Sequence, residues 1–216
     1  MIRAIFFDLD GTLIERGALW LRCIEGFLND HRATGESIPF ASFVSLIPEI
    51  TQRQDLDRRD VARLLADSYP GLGLSVAQIA ADFNVRLPRC VEPNPPVLRM
   101  LADLSTRYVT AIVTNGSARM QRAKLARAGL DGTVGRVFIS GDLGSRKPDA
   151  GIFQRALSWS RVPPDEALMV GDDSYEDIHG ASRAGLRTCR VGGPLTEVPI
   201  PDFQIPRVID LPRILS

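Results

Sequence analysis

The chain has 216 residues, 44% hydrophobic and 24% charged, and its 26 basic and 26 acidic side chains cancel to a formal net charge of zero. Such a chain is long enough for one substantial core, or for a core with a smaller domain attached, and it is too apolar to be disordered. The even charge leaves no basic footprint for nucleic acid or an anionic membrane, and no apolar run approaches the roughly 20 residues of a spanning helix. The first residues enter a strand pattern without the features of a signal peptide, so a cytoplasmic protein is expected. Cys23, Cys90 and Cys189 are odd in number and form no C-x-x-C, so they read as buried small hydrophobes rather than as a disulfide framework or zinc site.

The first element is the run Ile5-Phe6-Phe7-Asp8-Leu9-Asp10-Gly11-Thr12, an apolar strand that ends in two carboxylates and a glycine. A parallel strand buried on both faces has this hydrophobic body, and ligands of open α/β sheets bind beyond the carboxyl ends of the strands. Leu9 points away by strand periodicity, so Asp8 and Asp10 lean to the same side. Two carboxylates that close call for a cation, and Gly11 and Thr12 open a tight loop whose backbone N–H groups suit a phosphate. Next, Leu19, Cys23 and Phe27, with Trp20, Ile24 and Leu28, recur at helical spacing. Further helices are expected at 40–50, 58–68 and 75–87, the last opening with Ser75 as N-cap. Residues 15–92 therefore read as an all-helical insertion, ended by Pro93, Pro95 and Pro96.

Beyond it α and β alternate: helix 97–104, strand 109–113, helix 118–128 stopped by Gly129, strand 137–140, helix 151–160, strand 167–170, helix 176–184 stopped by Gly185, and strand 188–191. Strands separated by helical crossovers imply a parallel sheet with helices on both faces. An apolar stretch at 208–211 reads as a last edge segment.

Three further polar signals follow apolar runs. Thr114-Asn115-Gly116-Ser117 brings a hydroxyl, an amide and a helix N-terminus together, which suits a bound anion or an ordinary N-cap. Lys147 precedes Pro148 and projects from a loop. Gly171-Asp172-Asp173 followed by Asp177 places three carboxylates just after a buried strand, which metal ligation explains better than capping.

In order, Asp8-Leu9-Asp10-Gly11-Thr12, Thr114-Asn115-Gly116, Lys147-Pro148 and Gly171-Asp172-Asp173 with Asp177 closely resemble the motifs of the haloacid dehalogenase (HAD) superfamily. The helical insertion resembles that family's small cap. The resemblance implies an α/β fold, a Rossmann-like parallel sheet core at 1–14 and 93–216 with an inserted all-helical cap domain at 15–92. It also implies an essential magnesium ion and a covalent aspartyl-phosphate. Asp8 would be the nucleophile, and Asp10 would protonate the leaving oxygen and then activate water. Thr114 would bind the transferring phosphoryl group and Asn115 help position it, with Gly11, Thr12 and Gly116 completing the phosphate cradle. Lys147 would balance charge on the phosphate and on Asp8. Asp8, the Asp10 backbone carbonyl and Asp172 would hold magnesium, with Asp173 a direct or water-mediated ligand and Asp177 behind them orienting Lys147.

Asp10 separates the branches, because dehalogenases of the family lack an acid two residues after the nucleophile. The resulting expectation is a magnesium-dependent phosphomonoesterase acting on a small phosphorylated metabolite, with no nucleic-acid or membrane partner. A sugar phosphomutase is the alternative, and a non-catalytic binder retaining the fold is a further rival.

Overall fold

The structure, a computed structural model, describes residues 1–31, 58–193 and 199–215. The helix expected at 40–50 lies outside the described residues. Strand β1 (Ala4–Phe7) is the centre of a six-stranded sheet. Beside it lie β2 (Val109–Thr114) and β3 (Arg136–Ile139) on one side, and β4 (Ala167–Gly171), β5 (Arg187–Val191) and β6 (Phe203–Ile205) on the other. The spatial order is β3-β2-β1-β4-β5-β6 and every pairing is parallel. In register, Phe7 is level with Ile112 of β2 and Val170 of β4. The residues just beyond Phe7, Ile112 and Val170 therefore converge at one edge of the sheet, the edge where α/β folds bind ligands.

All four β1 residues are fully buried. Ala4 and Phe6 pack with Ala111, Val113, Met169 and the helix residues Ile152, Phe153 and Ala156. Ile5 and Phe7 face the opposite way by strand periodicity and are equally buried, so both faces of the sheet are covered. Burying each such large apolar side chain contributes roughly 1.5–3 kcal/mol, which offsets the cost of polar residues at the carboxyl end of the strands. The crossovers carry α4 (Pro95–Ser105), α5 (Ala118–Ala128), α6 (Ser140–Leu143) and α7 (Ala150–Ser160). Asn94 caps α4 and Ser117 caps α5, each accepting from a backbone N–H three residues on, while Gly129 ends α5 in the left-handed conformation.

The chain forms two compact units, Met1–Ile14 with Glu92–Ser216, and Glu15–Val91. The second holds α1 (Arg16–His31), α2 (Arg58–Ser68) and α3 (Val76–Arg89). Within it Phe83 of α3 meets Trp20 and Phe27 of α1, and Arg86 donates to both Asp82 and Asp30. Ser75 and Gln78 form a reciprocal capping box at the start of α3.

Two expected elements take another form. The helix expected at 176–184 is a wide π-helical turn at Ser174–His179 followed by α8 (Gly180–Arg183). The Asp173 carbonyl accepts from Ile178 N as well as Asp177 N, and the five-residue spacing widens the turn. The apolar stretch expected as an edge segment is a 3₁₀ helix, Val208–Ile214, and the edge strand is β6. Asp210 pairs with Arg207 and Arg213, three residues to either side, which closes turns rather than extending a strand.

Candidate active site

Asp8 follows β1 directly, and its backbone N–H donates to Val170 O at 2.9 Å, so the strand ladder continues into the site. The chain then turns sharply: Gly11 N donates to Ile14 O and Ile14 N to Leu9 O, both at 2.8 Å. Leu9 is fully buried on the other side. Gly11 has φ of 99°, and a Cβ there would overlap the Asp172 carboxylate. Glycine is what lets Asp172 approach this loop. Gly171 does the same for Asp177, whose carboxylate fills the space a side chain would take.

Lys147 is the hub. Its ammonium is 1% exposed and donates to Asp8 Oδ1 at 2.5 Å and to Asp177 Oδ1 at 2.6 Å. Burial alone would pull its pKa down, but Asp177 and Asp8 outweigh burial and hold it above the ordinary lysine value. Burial pushes the Asp8 and Asp177 carboxyls up, opposed by Lys147. Asn115 sets the height of this lysine: its Nδ2 donates to Lys147 O and its Oδ1 accepts from Lys147 N, both at 2.9 Å.

Asp10 leans into a different environment. Lys124 Nζ lies 2.7 Å from both of its carboxylate oxygens, and Gln121 Nε2 donates to Oδ2 at 2.9 Å. The same Gln121 Nε2 donates to Thr114 Oγ1 at 2.8 Å. The two carboxylates that share one motif are thus held by different cations.

Among the described residues, Asp8, Asp172 and Asp177 form the group whose ligand atoms all lie within 4.8 Å of one another. This donor set fits magnesium: it is all oxygen, and one ammonium balances only one of the two carboxylates it touches. Asp173 stands outside that group. Its Oδ1 accepts from Tyr175 N at 2.8 Å and Glu176 N at 2.7 Å, capping the wide turn, and its own N–H donates to Asp177 Oδ2. Asp177 is therefore tied at both oxygens, with Lys147 on one and the turn on the other.

The residues named for a phosphate cradle divide. Thr114 is buried beside Asp10's partner Gln121, while Thr12 Oγ1 donates to Asp172 Oδ1 at 3.2 Å and Gly116 N donates to Ser140 Oγ at 3.0 Å. Gln121 and Lys124 were not identified from sequence. Their signal was present, since the buried positions of α5 are Gln121, Lys124, Leu125 and Ala128, and two of those four are polar.

A family model described as haloacid dehalogenase-like hydrolase matches residues 2–185. The glyceraldehyde 3-phosphate phosphatase of Pyrococcus furiosus is 30% identical over 87% of this chain and 79% of its own length. The N-acylneuraminate-9-phosphatase of Rattus norvegicus is 31% identical, with 100% of this chain and 94% of that protein covered. Among solved structures, the putative HAD-hydrolase YfnB of Bacillus subtilis superposes with a TM-score of 0.77 at 22% identity, covering 100% of this chain and 99% of that one.

Proposed function

The chain belongs to the haloacid dehalogenase-like hydrolases and is a phosphatase of that family, and from this premise we propose that it hydrolyses small phosphorylated metabolites through a phosphoryl group carried on Asp8. The observation that carries the proposal is the different housing of two neighbouring acids. Asp8 is buried against Lys147, whereas Asp10 stands on Lys124 and Gln121 with 28% of its side chain exposed.

A phosphate monoester resists attack because its oxygens repel an anionic nucleophile and its leaving alkoxide is basic. Lys147 occupies Asp8 Oδ1, which leaves Oδ2 as the attacking atom and fixes its direction. As Asp8 Oδ2 bonds to phosphorus, the bond to the ester oxygen breaks and Asp10 delivers a proton to that oxygen. The alcohol leaves. Asp10, now a carboxylate, takes a proton from water as that water attacks phosphorus, and Asp8 departs as the free carboxylate with inorganic phosphate released. Thr114 Oγ1 and the Lys147 ammonium face the phosphoryl oxygens through both steps. Asp8, Asp172 and the Asp10 backbone carbonyl would hold magnesium, with Asp177 beside them on Lys147, and the ion would supply charge that offsets the phosphoryl oxygens. Asp177 keeps Lys147 in place, and Asp173 keeps the turn that presents Asp177.

The curated relatives named for glyceraldehyde 3-phosphate and N-acylneuraminate 9-phosphate support a substrate that is an alkyl ester of a sugar-like metabolite. Alkyl esters are also where a general acid counts most. Asp8→Asn is expected to abolish turnover and leave no trappable phosphoenzyme. Asp10→Asn is expected to slow alkyl phosphates by about 100- to 10,000-fold, with a smaller loss for nitrophenyl phosphate, whose leaving group hardly needs a proton. Chelation is expected to stop turnover and added magnesium to restore it. Full activity in excess EDTA, or a phosphoenzyme formed by Asp8→Asn, would overturn the reading.

A further inference from the structure

We propose that Gln121 and Lys124 are positioning residues for this reaction, holding the Asp10 carboxylate in its working rotamer and coupling it through one amide to Thr114; the inference rests on the phosphatase reading above. Helix α5 follows the strand end that carries Thr114, separated from it by Asn115, Gly116 and the N-cap Ser117. Its buried face would ordinarily be apolar. Instead Gln121 is 1% exposed and Lys124 is 8% exposed. Burying an amide and an ammonium is costly unless both are paired, and both pair at the catalytic edge.

The geometry leaves each group one role. Lys124 spans both oxygens of Asp10 at 2.7 Å, so the carboxylate plane is set by two contacts rather than one. Gln121 places one N–H on Asp10 Oδ2 and the other on Thr114 Oγ1. A carboxylate can only accept, so the amide must turn its Nε2 towards Asp10. Thr114 Oγ1 accepts from Gln121 and must aim its own proton elsewhere, and in the structure that proton reaches Asn115 O at 3.5 Å. A contact that long is readily exchanged for a phosphoryl oxygen. The backbone makes room for the arrangement: Gly116 has φ of 144°, and a Cβ there would lie 2.9 Å from Gln121 Cδ.

The side chain of Asp10 is partly exposed and projects from a loop. Held by one contact it would explore several rotamers, yet a general acid must come within hydrogen-bond reach of the leaving oxygen. Lys124 and Gln121 restrict that search. Their contribution should then appear where Asp10's does, on leaving groups that need a proton.

The test compares an alkyl phosphate with nitrophenyl phosphate in the full chain with magnesium. Lys124→Met keeps the length and removes the charge. It is expected to lower kcat for the alkyl ester by about 10- to 100-fold with little change in KM, and for the nitrophenyl ester by less than about 3-fold. Lys124→Arg is expected to recover most of that loss. In an Asp10→Asn background Lys124→Met is expected to cost nothing further, because the group it positions is gone. Should Lys124→Met fail to fold, Lys124→Gln, which removes the charge but keeps a neutral NH2 group, gives the same comparison. Equal losses on both esters, or a full additional loss in the Asp10→Asn background, would overturn the positioning role. Wild-type protein that hydrolyses neither ester would instead overturn the phosphatase reading, so the two failures are distinguishable.

Discussion

Asp8, Lys147 and Asp177 show how burial and pairing oppose one another on single side chains. The ammonium stays charged because two carboxylates face it, and those carboxylates are pushed up because water is excluded. The same physics acts on a thiol in the helical unit. Cys90 ends α3, where Arg22 Nε donates to its carbonyl at 2.8 Å. Pairing with the Cys23 thiol, helped by Arg86 and Arg22, outweighs burial and holds its pKa below the ordinary thiol value. Cys189 shows the reverse, since burial without such partners pushes it up to about 12. Iodoacetamide labelling followed by mass spectrometry should therefore modify Cys90 ahead of Cys189, with the Cys90 rate rising at a pH below the ordinary thiol value. A midpoint at the ordinary thiol value of about 8.5 would contradict this environment.

At the scale of elements, the wide turn Ser174–His179 joins two jobs that adjacent acids could have shared. Asp172 belongs to the carboxylate group with Asp8 and Asp177, while Asp173 caps the turn through Tyr175 and Glu176. Substitution separates them. Asp172→Asn is expected to weaken magnesium binding by about tenfold or more, since a ligand charge is lost. Asp173→Asn retains a good cap and is expected to leave both magnesium affinity and melting temperature near wild type. Asp173→Ala should lower stability by about 1 kcal/mol with affinity little changed, measured by urea unfolding and by magnesium titration. A large loss of affinity in Asp173→Asn would make Asp173 a ligand after all.

For the whole molecule, the site residues named among the described residues belong to the unit formed by Met1–Ile14 and Glu92–Ser216. We propose a division in which the first unit carries the chemistry and the second sets which metabolite is preferred. Replacing Glu15–Val91 by a short Gly/Ser linker should leave a folded core that still hydrolyses nitrophenyl phosphate but no longer ranks natural phosphate esters. An unchanged ranking across a metabolite panel would place specificity in the core loops. Among the described residues no helix is long and apolar enough to cross a membrane.

The sequence by itself determined the parallel α/β sheet, because buried strands need apolar runs and helices need 3.6-residue periodicity, and both patterns are local. It also determined that Ser75, Ser117 and Gly129 bound their helices, since caps act within a few residues. The tail at 208–211 misled, as a short apolar run does not reveal whether i,i+3 charge pairs will curl it. The motif resemblance anticipates Lys147 beside Asp8, whereas only the tertiary structure decided that Lys124 and Gln121 meet Asp10. Lys147 reaches Asp8 across 139 positions of sequence and Lys124 reaches Asp10 across 114, distances over which no periodicity carries information. It likewise decided that Asp177 rather than Asp173 joins Asp8 and Asp172, because a π-helical turn moves the fourth residue to where an α-helix would not. Partners of buried charges are chosen by how strands and helices are brought together in space, and that choice is made by packing of the whole sheet rather than by any one motif.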